Sequence, residues 1–473
     1  MDLARLKAEL APVRCEDNAA IVRQKSRDFF WYSPVLKRQL QEVTADLIAA
    51  PVNEAEVIHV LKTCFAQDVP VTPRGTGTGN YGQAMPLSGG VLLDLSKFNK
   101  IREISTGRFI AEPGAVIAEI DRQARQGGQE VRMHLSTYST ASIGGFIAGG
   151  SGGVGSINFG GLRDLGNVIR LRVVTMEAEP RILELGGEDL QKVSHAYGTN
   201  GVITEVEMPL GPAYDWVDVL VGFEPRDAEG FAGWMDAARF GNELGLQDGI
   251  LTKNIAPVQT PVPQRYFLRH RKFLQDGQSV CICMIAPFAM DAFASFVARG
   301  KGHILYRSDT ASAEEKKGLP PAYELAWNHT TLRGLRVDPQ ITYLQVLYPF
   351  PHQIERVEAV SKLFPGEVTG HLEYVRFDGH VTCFGLPIVN FTTEDRLDEI
   401  IRIHEEEGCP IFNPHRYTLE EGGMKRTDAV QLDFKREADP KGLLNPGKMV
   451  AWDHPDFDFS GQTYLFPGLE RKA

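Results

Sequence analysis

The sequence predicts an α+β protein of at least two domains, and three observations lead to this fold class. Residues 46–71 form a strand–helix–strand pattern of the size of one βαβ crossover. Two glycine-rich stretches, within 73–90 and 136–161, follow in the same N-terminal region. From about residue 213 the glycine clusters end, and strands and helices alternate as expected for a separate domain with helices on an antiparallel sheet.

Composition narrows the class of protein and its surroundings. The 473 residues carry a net charge of −11, which disfavours nucleic acid as a partner. No run approaches the roughly 20 apolar residues of a membrane span, and the N-terminus lacks the pattern of a signal peptide. The six cysteines are scattered without a CxxC pair, which is typical of a reducing compartment. We therefore expect a protein without a transmembrane segment and with a cytoplasmic location.

The first elements have clear local signals. Residues 1–45 are predicted to form a helical arm. The helix of the strand–helix–strand unit begins after Asn53, whose side chain and that of Glu56 form a capping-box arrangement. Its apolar face carries Val57, Leu61 and Phe65.

The first glycine-rich loop is predicted to cradle an anion. Its residues 77–82 match GxGxxG, yet they run on into a second apolar strand at 91–95 and not into a helix, which excludes a Rossmann site. Closely spaced glycines expose backbone N–H groups, and Arg74 could add a contact to a phosphate. The alternative is a long solvent-exposed hairpin.

The rest of the N-terminal domain reads as short strands and helices. We predict a strand at 109–111, a helix at 116–125, a hairpin at 168–185, a helix at 188–196 and a strand at 202–208.

The second glycine-rich stretch, residues 136–161, is predicted to form a packed backbone surface for a flat polar ligand. Apolar residues are interleaved with its glycines, which a flexible linker would not show. The alternative is a glycine-rich structural turn, but two such loops so close together favour a shared ligand because ordering them costs entropy.

Five segments together resemble a known flavoprotein superfamily. They are PRGTGTG at 73–79, EPG at 112–114, STASIGG at 139–145, GTNGVITEV at 198–206 and DPKGLLNPGK at 439–448. Their order and spacing resemble the vanillyl-alcohol oxidase / p-cresol methylhydroxylase (PCMH) superfamily, and within it the D-lactate dehydrogenase / glycolate oxidase subunit type.

The resemblance implies a two-subdomain PCMH-type FAD-binding domain and a cap domain with an antiparallel sheet and helices. The implied bounds are 1–45 for the arm, 46–212 for the FAD domain, 213–420 for the cap or substrate domain and 421–473 for a C-terminal return to the FAD domain.

The resemblance also implies which residues contact FAD. Residues 73–79 would wrap the pyrophosphate, residues 136–156 would line flavin and phosphates, residues 201–203 would meet a ring through their backbone, and Asn445 and Lys448 would lie near the flavin. The resulting cofactor-binding set is Pro73, Arg74, Gly75, Thr76, Gly77, Thr78, Gly79, Pro113, Ser136, Ser139, Thr140, Ile143, Gly144, Gly145, Gly149, Gly152, Gly153, Gly155, Ser156, Gly201, Val202, Ile203 and Asn445.

Three departures from the family pattern refine these expectations. Residues 74–90 contain no His or Cys and residues 136–161 contain none either, so FAD is expected to be non-covalent. The family's paired-His metal motif HxGDGNLH is not reproduced between His371 and His380, so no metal is expected. The family's EHGIG segment is replaced by Asn-Pro-His-Arg-Tyr at 413–417, which indicates a different substrate.

The predicted chemistry follows from the flavin. A flavin accepts hydride, and the protein must orient the substrate and remove the proton of an alcohol. His415 is the first candidate for that base, with Tyr417 or His371 as helper, and Arg416 or Arg376 could bind a substrate carboxylate. The alternatives are a turn histidine bonded to backbone for His415 and a simple strand residue for His371.

The functional hypothesis is an FAD-dependent oxidase or dehydrogenase that oxidises a small-molecule alcohol or 2-hydroxy acid. Oxygen, a quinone or an electron-acceptor protein could take the electrons, and a homo-oligomer is left open. Two alternatives remain: a flavin-dependent synthase or transferase of the ether-lipid type, and a flavoprotein subunit of an electron-transfer complex.

Overall fold

The computed structural model describes residues 2–422 and 429–456 and shows a mixed α and β architecture. The N-terminal region forms three helices, but it also supplies a strand that pairs with the first strand of the βαβ unit. Its elements are α1 (Leu3–Glu9), β1 (Arg14–Glu16), α2 (Ala19–Lys25) and α3 (Pro34–Leu40).

The first sheet has the strand order β1-β2-β4-β3. Strands β2, β3 and β4 are parallel, and β1 runs antiparallel to β2. The predicted crossover helix is present, and the Asn53 side chain accepts the Glu56 N–H at 2.9 Å. The further elements are β2 (Leu47–Ala50), α4 (Glu54–Ala66), β3 (Val71–Arg74) and β4 (Val91–Asp94).

The second sheet is antiparallel, with the order β5-β6-β10-β8-β9 and with β7 paired to β10. Its elements are β5 (Ile101–Ser105), β6 (Arg108–Ala111), α5 (Ile117–Arg125), β7 (Gln129–Val131), α6 (Ile143–Gly149), α7 (Ser156–Phe159), β8 (Arg170–Val174), β9 (Ile182–Gly186) and β10 (Val202–Pro212). The helix predicted at 188–196 is wrong, because only a short 3-10 turn forms at Gly187–Lys192. His195 and Tyr197 each have φ of +53°, which interrupts any helix there.

Residues 217–406 contain a four-stranded antiparallel sheet, β12-β13-β11-β14, and two three-stranded sheets, β15-β20-β17 and β16-β19-β18. The sequence predicts a single antiparallel sheet here. The split arises because β15 and β16 pair with different strands, and Gln345 lies in the break between them.

The elements of this region cover the sheets with helices. They are β11 (Val217–Phe223), α8 (Phe231–Gly245), β12 (Thr252–Val258), α9 (Val262–Tyr266), β13 (Ser279–Ile285), α10 (Met290–Arg299), β14 (Gly302–Arg307), α11 (Ala313–Lys316), α12 (Asn328–Leu335), β15 (Ile341–Tyr343), β16 (Val346–Tyr348), α13 (Gln353–Leu363), β17 (Val368–Thr369), β18 (Leu372–Phe377), β19 (His380–Gly385), β20 (Ile388–Asn390) and α14 (Glu394–Glu406).

The C-terminal segment returns to the first sheet. It carries α15 (Ala429–Ala438) and α16 (Val450–Asp453), and between them the chain runs alongside β3. The Val71 N–H donates to Leu443 O at 2.8 Å, and the Asn445 N–H donates to Val71 O at 2.8 Å. The tail thereby braces the strand that leads into the first glycine loop. Residues 423–428 and 457–473 of the predicted C-terminal segment lie outside the described residues.

Candidate active site

A long cleft runs between the two N-terminal sheets and continues under the region of residues 327–412, with about 1890 Å³ of empty space including its open mouth. Most of the predicted cofactor residues line it. They are Pro73, Arg74, Gly75, Thr76, Gly77, Thr78, Gly79, Pro113, Ser136, Gly144, Gly145, Gly149, Gly152, Gly153, Ser156, Gly201, Val202 and Ile203.

The two glycine-rich stretches meet at one pair of residues. The Thr76 N–H donates to Ser142 Oγ at 3.3 Å, and the Ser142 N–H donates to Thr76 Oγ1 at 3.1 Å. A Cβ on Gly75 would stand only 2.0 Å from Ser142 Oγ, so this close approach requires glycine. Both loops therefore form one continuous wall.

The first loop offers unpaired backbone donors to the cleft. Within the described residues, the N–H groups of Gly77, Thr78 and Gly79 have no acceptor. Gly77 adopts φ of +71°, a left-handed conformation suited to glycine. Three successive free N–H groups fit an anionic group such as a pyrophosphate.

Arg74 lines the cleft and also braces the first loop from within. Its guanidinium donates to Gly75 O at 3.1 Å and to Thr76 O and Arg27 O at 3.2 Å each. The side chain is buried, and burial lowers the pKa of Arg74. These contacts hold the loop in shape and tie it to the N-terminal region.

Five predicted cofactor residues lie outside the cleft wall. Ser139 and Thr140 are exposed, the Ile143 side chain packs in the core, and Gly155 has its Cα facing the Arg132 carbonyl. Asn445 lies behind the wall, where its Nδ2 donates to Gln83 O at 2.8 Å and to Tyr197 O at 2.7 Å.

Lys448 supports the same wall from behind. It is completely buried and donates from Nζ to Gly82 O at 2.6 Å. Burial lowers the pKa of Lys448 to about 7, opposed by the nearby Asp28 carboxylate.

His415 is not brought to the cleft. It is buried, with Nδ1 2.7 Å from Ser33 Oγ and Nε2 2.9 Å from Tyr343 O. A carbonyl oxygen can only accept, so Nε2 carries the proton and Nδ1 accepts from the Ser33 hydroxyl. Burial lowers the pKa of His415 to about 3. Both ring nitrogens of His415 are thus bonded within the protein. This matches the structural alternative, a histidine bonded to the protein, and not a free catalytic base.

The other predicted catalytic residues also lie away from the cleft surface. His371 is fully buried against Glu373, with Nε2 2.8 Å from Oε1. Arg416 faces Glu394 and Asp398 at 3.6 Å and 3.5 Å. The Tyr417 ring lies beside Lys448, at 5.0 Å from Nζ to the ring centroid.

Several lining residues escaped the sequence reasoning. Trp327, Asn328 and Gln345 reach the cleft, and so do Phe29 and Tyr32 of the predicted arm. Positive-φ positions and breaks between short strands produce this placement, and neither feature leaves a pattern in the sequence.

Arg376 also lines the cleft, as a carboxylate-binding residue would, and its guanidinium has no hydrogen-bond or ion-pair partner in the described chain.

Three residues that line the cleft carry buried polar atoms without a partner in the described chain. Tyr197 Oη, Asn328 Oδ1 and Gln345 Oε1 are buried without a partner among residues 2–422 and 429–456. Buried polar groups are normally hydrogen-bonded, so these atoms fit contacts with a bound molecule. In the same described ranges, no cluster of His, Cys, Asp or Glu could hold a metal ion.

Comparisons with known proteins define the class of this cleft. The FAD binding domain family matches residues 45–185. An uncharacterised FAD-linked oxidoreductase of Mycobacterium tuberculosis is 32% identical over 192 residues, which covers 38% of this chain and 40% of that protein. The solved structure of an alkyldihydroxyacetonephosphate synthase superposes with a TM-score of 0.67 at 15% identity, over 95% of this chain and 86% of the other, and shares its fold.

A longer match places the chain more narrowly. The glycolate oxidase subunit GlcD of Bacillus subtilis is 31% identical over 449 residues, covering 86% of this chain and 89% of that protein. The chain belongs to the family of FAD-linked oxidoreductases that contains this subunit, and its cofactor is FAD. Within the described chain, none of the helices combines the length and apolarity needed to cross a bilayer.

Proposed function

We propose that this chain is an FAD-dependent oxidase or dehydrogenase that oxidises an alcohol or 2-hydroxy acid. The observation that carries the proposal is the cleft itself, in which the joined glycine loops lead to Arg376, whose guanidinium has no partner among the described residues. Similarity over 89% of a glycolate oxidase subunit supports it. In this proposal the two N-terminal sheets are the subdomains of a PCMH-type FAD-binding domain, and residues 213–420 form the cap.

The glycine loops would hold the pyrophosphate of FAD, and the bound cofactor would supply the hydride acceptor. The N–H groups of Gly77, Thr78 and Gly79 can donate to its oxygens without any movement of Arg74. Asn445 and Lys448 would act indirectly, by holding the carbonyls of Gln83, Tyr197 and Gly82 in place.

The substrate would lie at the end of the cleft lined by residues 327–412. Arg376 can bind a carboxylate through two parallel hydrogen bonds, and the carboxamides of Asn328 and Gln345 can accept from a hydroxyl. Burial raises the pKa of Tyr197 well above its ordinary value, so its phenol stays protonated and acts as a donor. His415 has no part in the proposed chemistry, because its ring nitrogens are already bonded.

The proposal includes non-covalent FAD, since no histidine or cysteine lines the described cleft. Acid precipitation of the purified yellow protein tests this point. We expect the flavin absorbance in the supernatant, and yellow colour in the washed pellet would contradict it.

An anaerobic screen tests the reaction. Glycolate, D- and L-lactate, polyols and phenolic alcohols are added to the holoenzyme, and the loss of flavin absorbance near 450 nm is followed. Bleaching by a hydroxy acid is expected. A synthase would show no net reduction with any of these compounds, and a chain that binds no FAD at all would refute the proposal.

A further inference from the structure

Trp327 has an unusual main-chain conformation at the edge of the cleft. Its φ is +53° and its ψ is −145°, a combination that residues with side chains rarely adopt. The residue stands immediately before α12, its indole lines the cleft, and Nε1 donates to Asn254 Oδ1 at 3.2 Å. Such a conformation persists only when surrounding contacts hold it.

One buried carboxylate supplies that contact. Glu373 Oε1 accepts the Trp327 N–H at 2.5 Å and faces His371 Nε2 at 2.8 Å. Glu373 is 1% exposed and His371 is 0% exposed. A carboxylate is costly to bury unless it is hydrogen-bonded, so both donors are needed to keep it there.

The carboxylate lies directly behind the cleft wall. Val375, two positions further along β18, lines the cleft. The neighbouring Tyr374 is buried, and its hydroxyl donates to Ala238 O of α8. Asn328, the residue after Trp327, also lines the cleft, and its Oδ1 is buried without a partner among the described residues.

We propose that Glu373 is a positioning residue, which fixes the Trp327 main chain so that the Trp327 indole and the Asn328 carboxamide face the bound substrate. This inference rests on the proposed oxidation of a hydroxy acid in the same cleft. Glu373 acts through Trp327 and touches neither FAD nor substrate. His371 completes the arrangement because it holds the Glu373 carboxyl group. This gives a structural role to a histidine that does not reach the cleft.

The test compares three variants of the FAD-loaded protein. Glu373→Leu removes the acceptor, and Glu373→Asp keeps the carboxyl group but shortens its reach towards Trp327. Tyr374→Phe is the matched control, because it removes a buried hydrogen bond from the same strand, one that runs to Ala238 of α8. The readouts are the visible circular dichroism of bound FAD, and kcat and KM with glycolate or D-lactate.

We expect Glu373→Leu to change the visible circular dichroism and to raise KM about tenfold while kcat stays within about threefold. Glu373→Asp should show the same changes at smaller size, and Tyr374→Phe should match the wild type. If Glu373→Leu does not fold, Glu373→Asp decides, and wild-type dichroism and KM in that variant overturn the inference.

Equal changes in Tyr374→Phe would also overturn it, since the effect would then be general destabilisation. If neither hydroxy acid bleaches the wild-type flavin, the proposed function fails, independently of the positioning role of Glu373. The dichroism of the resting proteins then decides the positioning role by itself.

Discussion

At the scale of single residues, burial decides which polar groups can act on a ligand. His415 and Arg416 are neighbours in the sequence, yet one is enclosed by Ser33 and Tyr343 and the other is engaged by two carboxylates. Arg376 is exposed in the cleft and has no such partner in the described chain. The accessible arginine is therefore the better candidate for substrate binding.

Replacing Arg376 tests this assignment. Arg376→Met should raise KM for a hydroxy acid about ten- to a hundredfold, because a hydrogen bond to a charged group contributes about 1.5–3 kcal/mol. Steady-state kinetics with glycolate or lactate measures it, and Arg416→Gln should change KM by less than about twofold. An equal rise in KM for a neutral alcohol would contradict a role in carboxylate binding.

The lowered pKa of His415 should change how the free energy of unfolding depends on pH. Burial lowers its pKa from 6.5 to about 3, so below pH 6.5 the unfolded state binds a proton that the folded state excludes. The contribution of neutral His415 to the free energy of unfolding is complete above pH 6.5. It is lost as the pH falls towards 3, by about 1.4 kcal/mol per pH unit.

Urea unfolding between pH 6 and pH 4.5 measures this slope. His415→Gln should make the fall in the free energy of unfolding shallower by about one proton. A slope in His415→Gln equal to that of the wild type would show that this histidine does not titrate as proposed.

At the scale of elements, the first glycine loop is shaped by contacts that exclude any side chain. A Cβ on Gly77 would stand 2.1 Å from the Arg74 guanidinium, which is the group that braces the loop. The strand before it is held by the C-terminal segment, and Thr76 joins it to the second glycine stretch. The first loop is thus held in shape by Arg74, by the C-terminal segment that holds the preceding strand, and by the second glycine-rich stretch.

Gly77→Ala should weaken FAD binding at least about tenfold, or about 1.4 kcal/mol, because it displaces Arg74 and the free N–H groups. Titration of apoprotein with FAD, followed by flavin fluorescence, measures the effect. Gly107→Ala is the matched control, since Gly107 has φ of +81° but a Cβ at that position would meet no atom within 4 Å. It should cost about 1 kcal/mol of stability and leave FAD affinity unchanged.

At the scale of the whole molecule, a buried ion pair connects the FAD-binding region to the rest of the chain. Lys253 of β12 donates to Glu130 of β7 at 2.6 Å, and both side chains are almost fully buried (4% and 5% exposed). Arg125 and Trp216 also donate to Glu130. Burial lowers the pKa of Lys253, and the Glu130 carboxylate opposes that change.

Lys253→Met should destabilise the holoenzyme by about 1.5–3 kcal/mol, because it removes a charged donor from a buried carboxylate that keeps Arg125 and Trp216 as partners. Calorimetry should show a lower melting temperature or two separate transitions. The double variant Lys253→Met/Glu130→Gln should recover part of the loss. Arg239→Gln, which breaks the surface pair with Glu358, should cost under about 1 kcal/mol, and an equal loss there would contradict the argument.

Local patterns in the sequence predicted several secondary-structure elements of the FAD-binding region. Apolar periodicity predicted β2 and α4, and the excluded Rossmann pattern led to the strand after the glycine loop, which is β4. These features depend on residues close in sequence, whose backbone preferences act over one or two turns. The glycine spacing also predicted which parts of the chain would line the cleft.

Only the tertiary structure decided which side chains face that cleft. By residue type, His415 suited catalysis and Arg376 suited carboxylate binding, but whether a polar group is buried by its neighbours depends on distant segments such as Ser33 and Tyr343. The Glu373–Trp327 contact likewise joins residues that lie 46 positions apart. Burial and long-range hydrogen bonds arise from packing, and for that reason the sequence determined the glycine-rich wall of the cleft while the fold decided which polar side chains line the rest of it.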